Sequence, residues 1–431
     1  MSFNKTQSYF LSELYTISSG LSKSREEFGF GYPFVTFKDV FDNYFLPDKL
    51  SNLANTSEKE RERCSVKKGD VFLTRTSETQ EELGMSCVAL RDYENATFNG
   101  FTKRLRLKPK FEGKIDPIYM AYYMRSSVVR NQINSLSIMT TRASLNNSMI
   151  ERLKVEIPQI EEQITIGRYL KLFDEKVKAN NEIKVILENI VKAIFTHWFI
   201  EYEFPNDNGE PYKSSSGEMV ESKIGLIPKG WNVDNILDNI QEVKIKNKEN
   251  SEIPVLSVVK EGTFVLSEDY FTKQVYSKNT KNYKIISRNC LGYNPSRANI
   301  GSIAVLREFE RGLLSPIYKI FEFNGSISPI YFLMYMKKQV FKDFIVKHSS
   351  GTTRQNFDYR GFSEFFVAVP DKKLQERFTN LFEKIEKFIR YIDAESEKLV
   401  KMRDLILSKL ISGEITIPSE EKQFIGKEEQ I

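Results

Sequence analysis

The amino-acid sequence contains a long internal repeat, and this repeat limits the possible folds of the chain more than any other feature. A shift of 212 residues aligns 113–163 with 325–375 without a gap, and 16 of the 51 aligned positions are identical. The identical pairs include Gly113/Gly325, Pro117/Pro329, Tyr119/Tyr331, Val155/Val367, Pro158/Pro370 and Gln163/Gln375. A period of this length is far longer than that of a solenoid repeat. We therefore expect two globular units, each with its own core, related by pseudo-two-fold symmetry.

Each half has the same order of predicted elements. Short apolar runs broken by Gly, Asn and Ser, such as Val71–Leu73, predict strands in the first part of each half. A helix follows, opened by Pro117 or Pro329. A Thr-Thr-Arg loop, a short helix and a strand ending at Pro158 or Pro370 then lead into a long helix. The halves differ most in their strand-rich parts, which fits binding of two different targets and also fits drift without function.

Apolar residues along both long helices recur at steps of three and four, as in a coiled-coil seam. The predicted seam of the second helix consists of Leu374, Phe378, Leu381, Ile385, Phe388, Ile392, Leu399, Met402 and Ile406. That of the first helix consists of Ile166, Leu170, Phe173, Val177, Asn180, Ile183, Leu187, Ile190 and Ile194, and its three-residue steps around Asn180 resemble a stammer. Pseudo-two-fold symmetry within one chain favours an antiparallel pair, and two ordinary core helices in separate domains are the alternative.

These patterns predict an α+β fold with two pseudosymmetric strand-rich domains separated by two long helices that form an antiparallel coiled coil. The predicted boundaries are a first domain over 1–157, a spacer helix over 158–202, a linker over 203–223, a second domain over 224–369, a second spacer helix over 370–413 and a disordered tail over 414–431. The linker is rich in Asn, Gly, Pro, Ser and charge, and the tail is rich in Glu, Lys and Gln.

Composition and motifs argue against several classes of protein. The three cysteines are far apart and there are only two histidines, so we expect neither a disulfide framework nor a zinc site. The sequence shows no secretory signal and no apolar stretch long enough to span a membrane, which predicts a cytoplasmic protein. It also lacks the phosphate-binding, dinucleotide-binding, zinc-protease and serine-hydrolase motifs. Asn294-Pro295-Ser296 has too little of the Asn-Pro-Pro-aromatic motif of adenine methyltransferases to indicate catalysis.

Basic and amide residues of the strand-rich domains indicate an anionic partner. The net charge of +5, from 63 Lys and Arg against 58 Asp and Glu, is too small to identify one. The stretch 101–110 holds five basic residues and no acid, alternating as in a half-buried strand, so one face is predicted to be positive. Arg, Asn, Ser and Thr side chains also suit phosphate oxygens and base edges. The predicted DNA-binding residues are Lys68, Arg75, Ser77, Lys103, Arg104, Arg106, Thr140, Thr141, Arg142, Asn294, Arg297, Arg307, Thr352, Thr353, Arg354 and Gln355.

Each of these residues also has a structural interpretation. Any single charge among them can be an ordinary solvated surface residue. Arg142 and Arg354 can equally hold a loop against the helix pair, because repeated residues often maintain a shared scaffold.

The chain as a whole resembles the DNA specificity subunits of type I restriction-modification systems. The resemblance is carried by the two units that each end in a long helix, by the segment HWFIEYEFP at 197–205, and by the segment IGLIPKGW at 224–231 that opens the second unit. The first unit begins without the Pro-Lys-Gly-Trp entry, so its start is less well defined.

This resemblance implies that the strand-rich domains are target-recognition domains of a non-catalytic subunit, which reads a bipartite double-stranded DNA target with one half-site per domain. It also implies docking of two methyltransferase (modification) subunits through the helices, joined by restriction/translocase subunits. S-adenosylmethionine, ATP and Mg²⁺ would belong to those partners, with no cofactor in this chain. The alternatives are a coiled-coil scaffold whose end domains bind proteins, which would not bind duplexes in a salt-dependent way, and a methyltransferase in its own right.

Overall fold

The computed structural model describes residues 6–77, 79, 82–136, 143–270, 279–351 and 355–417. The chain divides into two compact units. Unit 1 comprises Met1–Glu182 and Asp393–Ile431, and unit 2 comprises Ile183–Ile392. Both unit boundaries fall inside the two long helices, so each helix belongs partly to one unit and partly to the other.

Unit 1 contains eleven described strands and seven described helices, the last of which continues into unit 2. The strands are β1 (Gln7–Phe10), β2 (Tyr15–Ser19), β3 (Phe28–Val35), β4 (Leu53–Ala54), β5 (Val71–Thr74), β6 (Thr76–Ser77), β7 (Ser86–Val88), β8 (Thr97–Phe98), β9 (Thr102–Leu107), β10 (Ala143–Ser144) and β11 (Lys154–Ile157). The helices are α1 (Leu11–Leu14), α2 (Phe37–Asp42), α3 (Glu58–Arg63), α4 (Pro117–Tyr123), α5 (Ser127–Leu136), α6 (Asn147–Glu151) and α7 (Ile160–Phe195).

Unit 2 contains fourteen described strands and four described helices. Its strands are β12 (Met219–Ser222), β13 (Gly225–Pro228), β14 (Asn232–Asn235), β15 (Ile240–Glu242), β16 (Leu256–Val258), β17 (Phe264–Leu266), β18 (Lys284–Ser287), β19 (Leu291–Tyr293), β20 (Ile303–Val305), β21 (Arg311–Leu314), β22 (Lys319–Phe323), β23 (Ser349–Ser350), β24 (Asn356–Phe357) and β25 (Phe366–Val369). Its helices are α8 (Ser267–Tyr270), α9 (Pro329–Met336), α10 (Gln339–Lys347) and α11 (Lys372–Ile411), which ends in unit 1.

Each unit is built around a four-stranded antiparallel sheet with the same strand order. The order is β2-β9-β5-β7 in unit 1 and β15-β22-β19-β20 in unit 2. The registers also correspond, because Val71 pairs with Leu105 in the first sheet and Leu291 pairs with Phe321 in the second. A separate antiparallel pair, β1 with β11 or β14 with β25, brings the start of each domain to the strand that precedes its long helix. The two domains therefore share their topology even where their sequences diverge.

The repeated glutamine attaches each domain to the first turn of its long helix. Gln163 is buried and accepts a hydrogen bond from Asp116 N at 2.9 Å, while its Nε2 donates to Lys114 O and Pro158 O at 2.9 Å. At the equivalent positions of unit 2, buried Gln375 accepts from Ser328 N at 2.7 Å and donates to the carbonyls of residues 326 and 370. All six bonds reach backbone atoms. The identity of this glutamine in both halves is thus explained by its role in the scaffold.

The hydrophobic cores continue from the domains onto the long helices. In unit 1 the buried cluster includes Leu170 of α7 and Leu407 of α11. In unit 2 Phe378 of α11 packs against Phe195 and Phe199 with ring centroids 5.6 and 5.2 Å apart. Because these contacts are apolar and buried, they supply much of the free energy that holds each domain on its helices.

Contacts within unit 1 show that its two helix segments run antiparallel. Asn180 Nδ2 donates to Glu395 at 2.8 Å and to Ser396 at 3.0 Å. Towards the start of α7, Asp174 pairs with Arg403, eight residues further along α11 than Glu395. As one helix advances, its contacts therefore move backwards along the other.

The predicted seams are wrong at four positions. Phe388 and Met402 of α11 are exposed, as are Ile183 and Ile190 of α7. The less exposed positions after Asn180 are 184, 187, 191 and 194, which keep regular steps of four and three without a stammer. Polar residues cause the error, because half-buried Lys184 and buried Arg403 occupy seam positions that a search for apolar residues passes over.

Two of the predicted boundaries, those of the linker and of the C-terminal tail, also differ from the structure. The β12–β13 hairpin, 219–228, extends from the end of the predicted linker into the start of the predicted second domain. The predicted disordered tail starts too early, because Ile417 is buried and Ile415 packs against the unit 1 core. The rest of that tail, 418–431, lies outside the described residues.

Candidate DNA interface

The two Thr-Thr-Arg loops lie outside the described residues. This applies to Thr140, Thr141, Arg142, Thr352, Thr353 and Arg354. The residues that follow each loop are described, and they define where each loop rejoins the domain.

In unit 1 the chain after the loop returns beside the end of β5. Ala143 and Ser144 pair with Ser77 and Thr76 across the β6–β10 ladder. Arg75 lies between β5 and β6 and is exposed; its N–H donates to Phe101 O and its carbonyl accepts from Leu145 N, both at 2.8 Å. The Ser77 hydroxyl donates to Glu82 at 3.2 Å. The structure thus brings Arg75 and Ser77 together with Ala143 and Ser144, the first described residues after the loop.

In unit 2 the equivalent place is the end of β19. Asn294 caps a 3-10 helix, Pro295–Ile300, by accepting from Ser296 N at 3.1 Å. The Asn299 side-chain amide donates to Gln355 Oε1 at 2.9 Å, and the Ser296 hydroxyl donates to Asn356 at 2.7 Å. Arg297 is exposed on this helix. Predicted residues Asn294, Arg297 and Gln355 are therefore neighbours, and Asn356 joins them.

The prediction that 101–110 presents a positive face is wrong. Its strand, β9, lies inside the four-stranded sheet, and Arg104 is only 6% exposed, with its guanidinium donating to Ser65 O at 2.5 Å. Burial lowers the pKa of Arg104. Arg106 forms a salt bridge with Asp70 at 2.6 Å, and buried Lys103 donates to the Ser19 hydroxyl at 2.8 Å. These three cations hold the domain together, because buried charges need partners.

Lys103 nevertheless lies close to Arg75 at the candidate interface. Burial lowers its pKa, and so does the nearby charge of Arg75.

Arg307 and Lys68 also lie apart from these two places. Arg307 is 5% exposed and pairs with Glu386 of α11 at 2.6 Å, so it fixes the domain to the helix. Lys68 is exposed just before the start of β5. Burial raises the pKa of Asp116, and the charge of Lys68 slightly opposes this effect. Because β5 has four residues at about 3.3 Å each, Lys68 and Arg75 lie at opposite ends of the strand.

Two searches of the described residues bear on other functions. They contain no group of three or more His, Cys, Asp or Glu side chains placed to hold a metal ion. Within the same residues, no helix is long and apolar enough to cross a membrane.

The chain is similar to known proteins over most of its length. Residues 4–189 match the family model for the Type I restriction modification DNA specificity domain. The specificity subunit of the type I restriction enzyme MjaIX of Methanocaldococcus jannaschii is 23% identical over 417 residues, covering 93% of this chain and 90% of that protein. The HindI specificity subunit of Haemophilus influenzae is 23% identical over 455 residues, covering 89% and 95%.

A solved structure confirms the fold. The crystal structure of a type I restriction-modification S subunit from M. genitalium matches with a TM-score of 0.52 at 14% identity, covering 94% of this chain and 96% of that one. The predicted α+β fold, with two pseudosymmetric strand-rich domains and a pair of long antiparallel helices, is confirmed.

The chain is similar to specificity subunits of type I restriction-modification systems over most of its length, and residues 4–189 match the DNA specificity domain of that family. Proteins of this family recognise DNA sequence within a larger complex and are not its catalytic subunits. The prediction that this chain is a recognition subunit, and not an enzyme, is confirmed.

Proposed function

We propose that the chain reads a bipartite double-stranded DNA target, with one half-site bound by each unit. The observation that carries this proposal is that the two four-stranded sheets have an equivalent edge, meaning the side of the sheet at which the central strands β5 and β19 end. At the end of β5 this edge carries Arg75 and Ser77, and at the end of β19 it carries Asn294 and Arg297. Two similar frames with different side chains at the same place suit two different sequences.

The side chains at both edges have chemistry suited to DNA. Arginine binds phosphate oxygens as well as the O6 and N7 atoms of guanine, and asparagine and glutamine pair with adenine. In unit 2 the bond between Asn299 and Gln355 fixes the orientation of both amides, which reduces the entropy lost on binding. The Thr-Thr-Arg loops, which lie outside the described residues, remain predicted DNA contacts.

Neutralising the exposed arginines should weaken DNA binding in a salt-dependent way. We expect Arg75→Ala and Arg297→Ala each to reduce the slope of log K against log salt by about one unit, because each lost phosphate contact leaves about one counterion unreleased. Lys68→Ala is the control and should leave the slope unchanged. Titrations of a labelled duplex between low and moderate salt measure this, and equal slopes for all variants would remove both sheet edges from the interface.

The long helices carry exposed apolar side chains that suit docking of partner proteins. In unit 1 these are Leu172, Met402 and Leu405, and in unit 2 they are Ile183, Val185, Ile186, Ile190, Phe388 and Tyr391. Because each unit has its own group, we propose that two methyltransferase (modification) subunits dock there, one on each unit, and that restriction/translocase subunits join them in the cytoplasm. S-adenosylmethionine, ATP and Mg²⁺ would be bound by those partners.

A charge placed among the exposed apolar side chains on the long helices of unit 2 should release one modification subunit. We expect Ile186→Glu combined with Tyr391→Glu to weaken this docking at least ~10-fold, because an interface residue would have to bury an unpaired carboxylate. Native mass spectrometry of the co-purified complex would then show one modification subunit in place of two. Val340→Glu, at an exposed position of α10, is the control. A full complement of partners on the double variant would contradict this docking site.

A further inference from the structure

Both units hold an exposed apolar side chain on an equivalent turn. In unit 1 the turn is 99–102, where Thr102 N donates to Asn99 O at 3.0 Å; in unit 2 it is 315–318, where Tyr318 N donates to Ser315 O at 3.0 Å. Each turn leads directly into the sheet strand β9 or β22. The third residue of the turn is Phe101 in one unit and Ile317 in the other, and these side chains are 60% and 51% exposed.

The register of the two sheets makes this correspondence independent of sequence similarity. Leu105 and Phe321 occupy the same ladder position, and each stands four residues after the exposed residue. The internal repeat does not include this region, and a phenylalanine and an isoleucine show no identity. The equivalent location is therefore a property of the fold.

The turn of unit 1 is held rigidly by its own hydrogen bonds. Asn99 Oδ1 accepts from Phe101 N at 2.7 Å, and Asn99 O also accepts from the Thr102 hydroxyl at 2.7 Å. Gly100 N donates to Leu21 O at 2.7 Å. In unit 2 Pro316 restricts the backbone at the second turn position. Because a rigid turn holds its exposed apolar side chain in place, less conformational entropy is lost when a partner covers that group.

Both residues lie at the edges proposed to bind DNA. Phe101 O accepts the hydrogen bond from Arg75 N at 2.8 Å. In unit 2 Tyr293 pairs with Lys319, which places the turn beside the start of the Asn294–Ile300 segment. The cationic and amide groups proposed to bind DNA thus lie beside an exposed apolar group in each unit.

We infer that Phe101 and Ile317 contact thymine methyl groups in the two half-sites and thereby contribute to sequence specificity. This inference rests on the proposed function. In the major groove of DNA, the thymine 5-methyl is the apolar feature of a base edge, and it is read by apolar side chains. Burying one methyl is worth ~0.8 kcal/mol, or about fourfold in affinity.

The test combines protein variants with deoxyuridine, which pairs as thymine does but lacks the methyl. The full chain co-purified with its modification subunits is titrated with its target duplex, in which each thymine is replaced in turn by deoxyuridine. For wild type, one replacement in each half-site should weaken binding about fourfold. In the Phe101→Ala variant, the deoxyuridine replacement in the first half-site should no longer weaken binding. The deoxyuridine replacement in the second half-site should still weaken it about fourfold. Ile317→Ala should show the reverse.

Matched controls separate this contact from general effects. Val128→Ala and Val340→Ala remove exposed valines at equivalent positions of α5 and α10 and should behave as wild type. Phe101→Leu keeps an apolar group and should retain most of the methyl effect even if Phe101→Ala proves unstable. The salt slope should stay unchanged in all of them, because no phosphate contact is lost.

The outcomes distinguish this inference from the proposed function. If the methyl effects were equally large in wild type and in both alanine variants, the inference would be wrong while the proposed function would stand. A target in which neither half-site contains thymine would have the same consequence. Loss of modification subunits from Phe101→Ala would assign the turn to a protein partner and also overturn it. If the wild-type complex did not bind duplex DNA in a sequence-specific way, the proposed function itself would be wrong.

Discussion

Glu386→Ala is expected to destabilise unit 2 by about 3–5 kcal/mol, because it leaves a buried arginine without its main partner. Arg307 donates to Glu386 through Nε at 3.0 Å and through an Nη at 2.6 Å, and its remaining acceptors are Asn289 and Glu383, the latter at 3.4 Å. Burial alone would raise the pKa of Glu386, but Arg307 and Arg390 hold this pKa below its usual range. The carboxylate therefore stays charged and fixes the second domain to α11.

Urea unfolding of the full chain and hydrogen exchange would measure this effect. We expect faster exchange of the β19 and β22 amides in Glu386→Ala and little change in β5 and β9 of unit 1. Glu383→Ala is the control and should cost under ~1 kcal/mol, because this carboxylate is half exposed. Replacing the pair together, with Arg307→Met and Glu386→Leu, should recover most of the stability. Wild-type stability of Glu386→Ala would show that Arg307 does not depend on this partner.

The internal repeat predicted the fold because it covers the parts of the chain that form the scaffold. Gln163 and Gln375, together with the prolines that precede them, make the same backbone contacts in both units, so selection on the scaffold kept them alike. The sheets in front of the repeat kept their topology without keeping their residues. Equivalence of β5 with β19 is visible in their register and not in their sequence.

The candidate site was predicted less well because whether a charged side chain is exposed or paired depends on partners that are distant in the sequence. Arg106 reads as a solvated cation, yet its partner Asp70 lies 36 residues away. Arg307 depends on Glu386, 79 residues away. Alternation along β9 was interpreted as one buried and one exposed face. A central strand that is packed on both faces, however, buries the cations on both of its faces. Only neighbours in three dimensions distinguish such residues from Arg75 and Arg297.

Exposed apolar residues were missed for a related reason. Phe101 and Ile317 have no distinguishing spacing, and apolar residues are ordinarily assigned to a core. Phe388 and Met402 were assigned to a helix seam for the same reason and are exposed instead. In each case, the exposed fraction in the structure supplies the signal that residue type alone does not give.

Exchange of one target-recognition domain tests the central claim most directly. Residues 1–157 would be replaced by the corresponding domain of a related specificity subunit, with the rest of the chain unchanged. The junction suits such an exchange, because Gln163 bonds only to backbone atoms of the preceding domain and does not depend on its side chains.

The measurement is a map of methylated sites in cells that carry the exchanged chain with its modification subunits. Our account predicts that one half of the bipartite motif changes to that of the donor, while the other half and the spacer between them stay as in the wild type. The reciprocal exchange of 224–369 should change only the other half. A motif in which both halves change together, or in which neither changes, would contradict the assignment of one half-site to each unit.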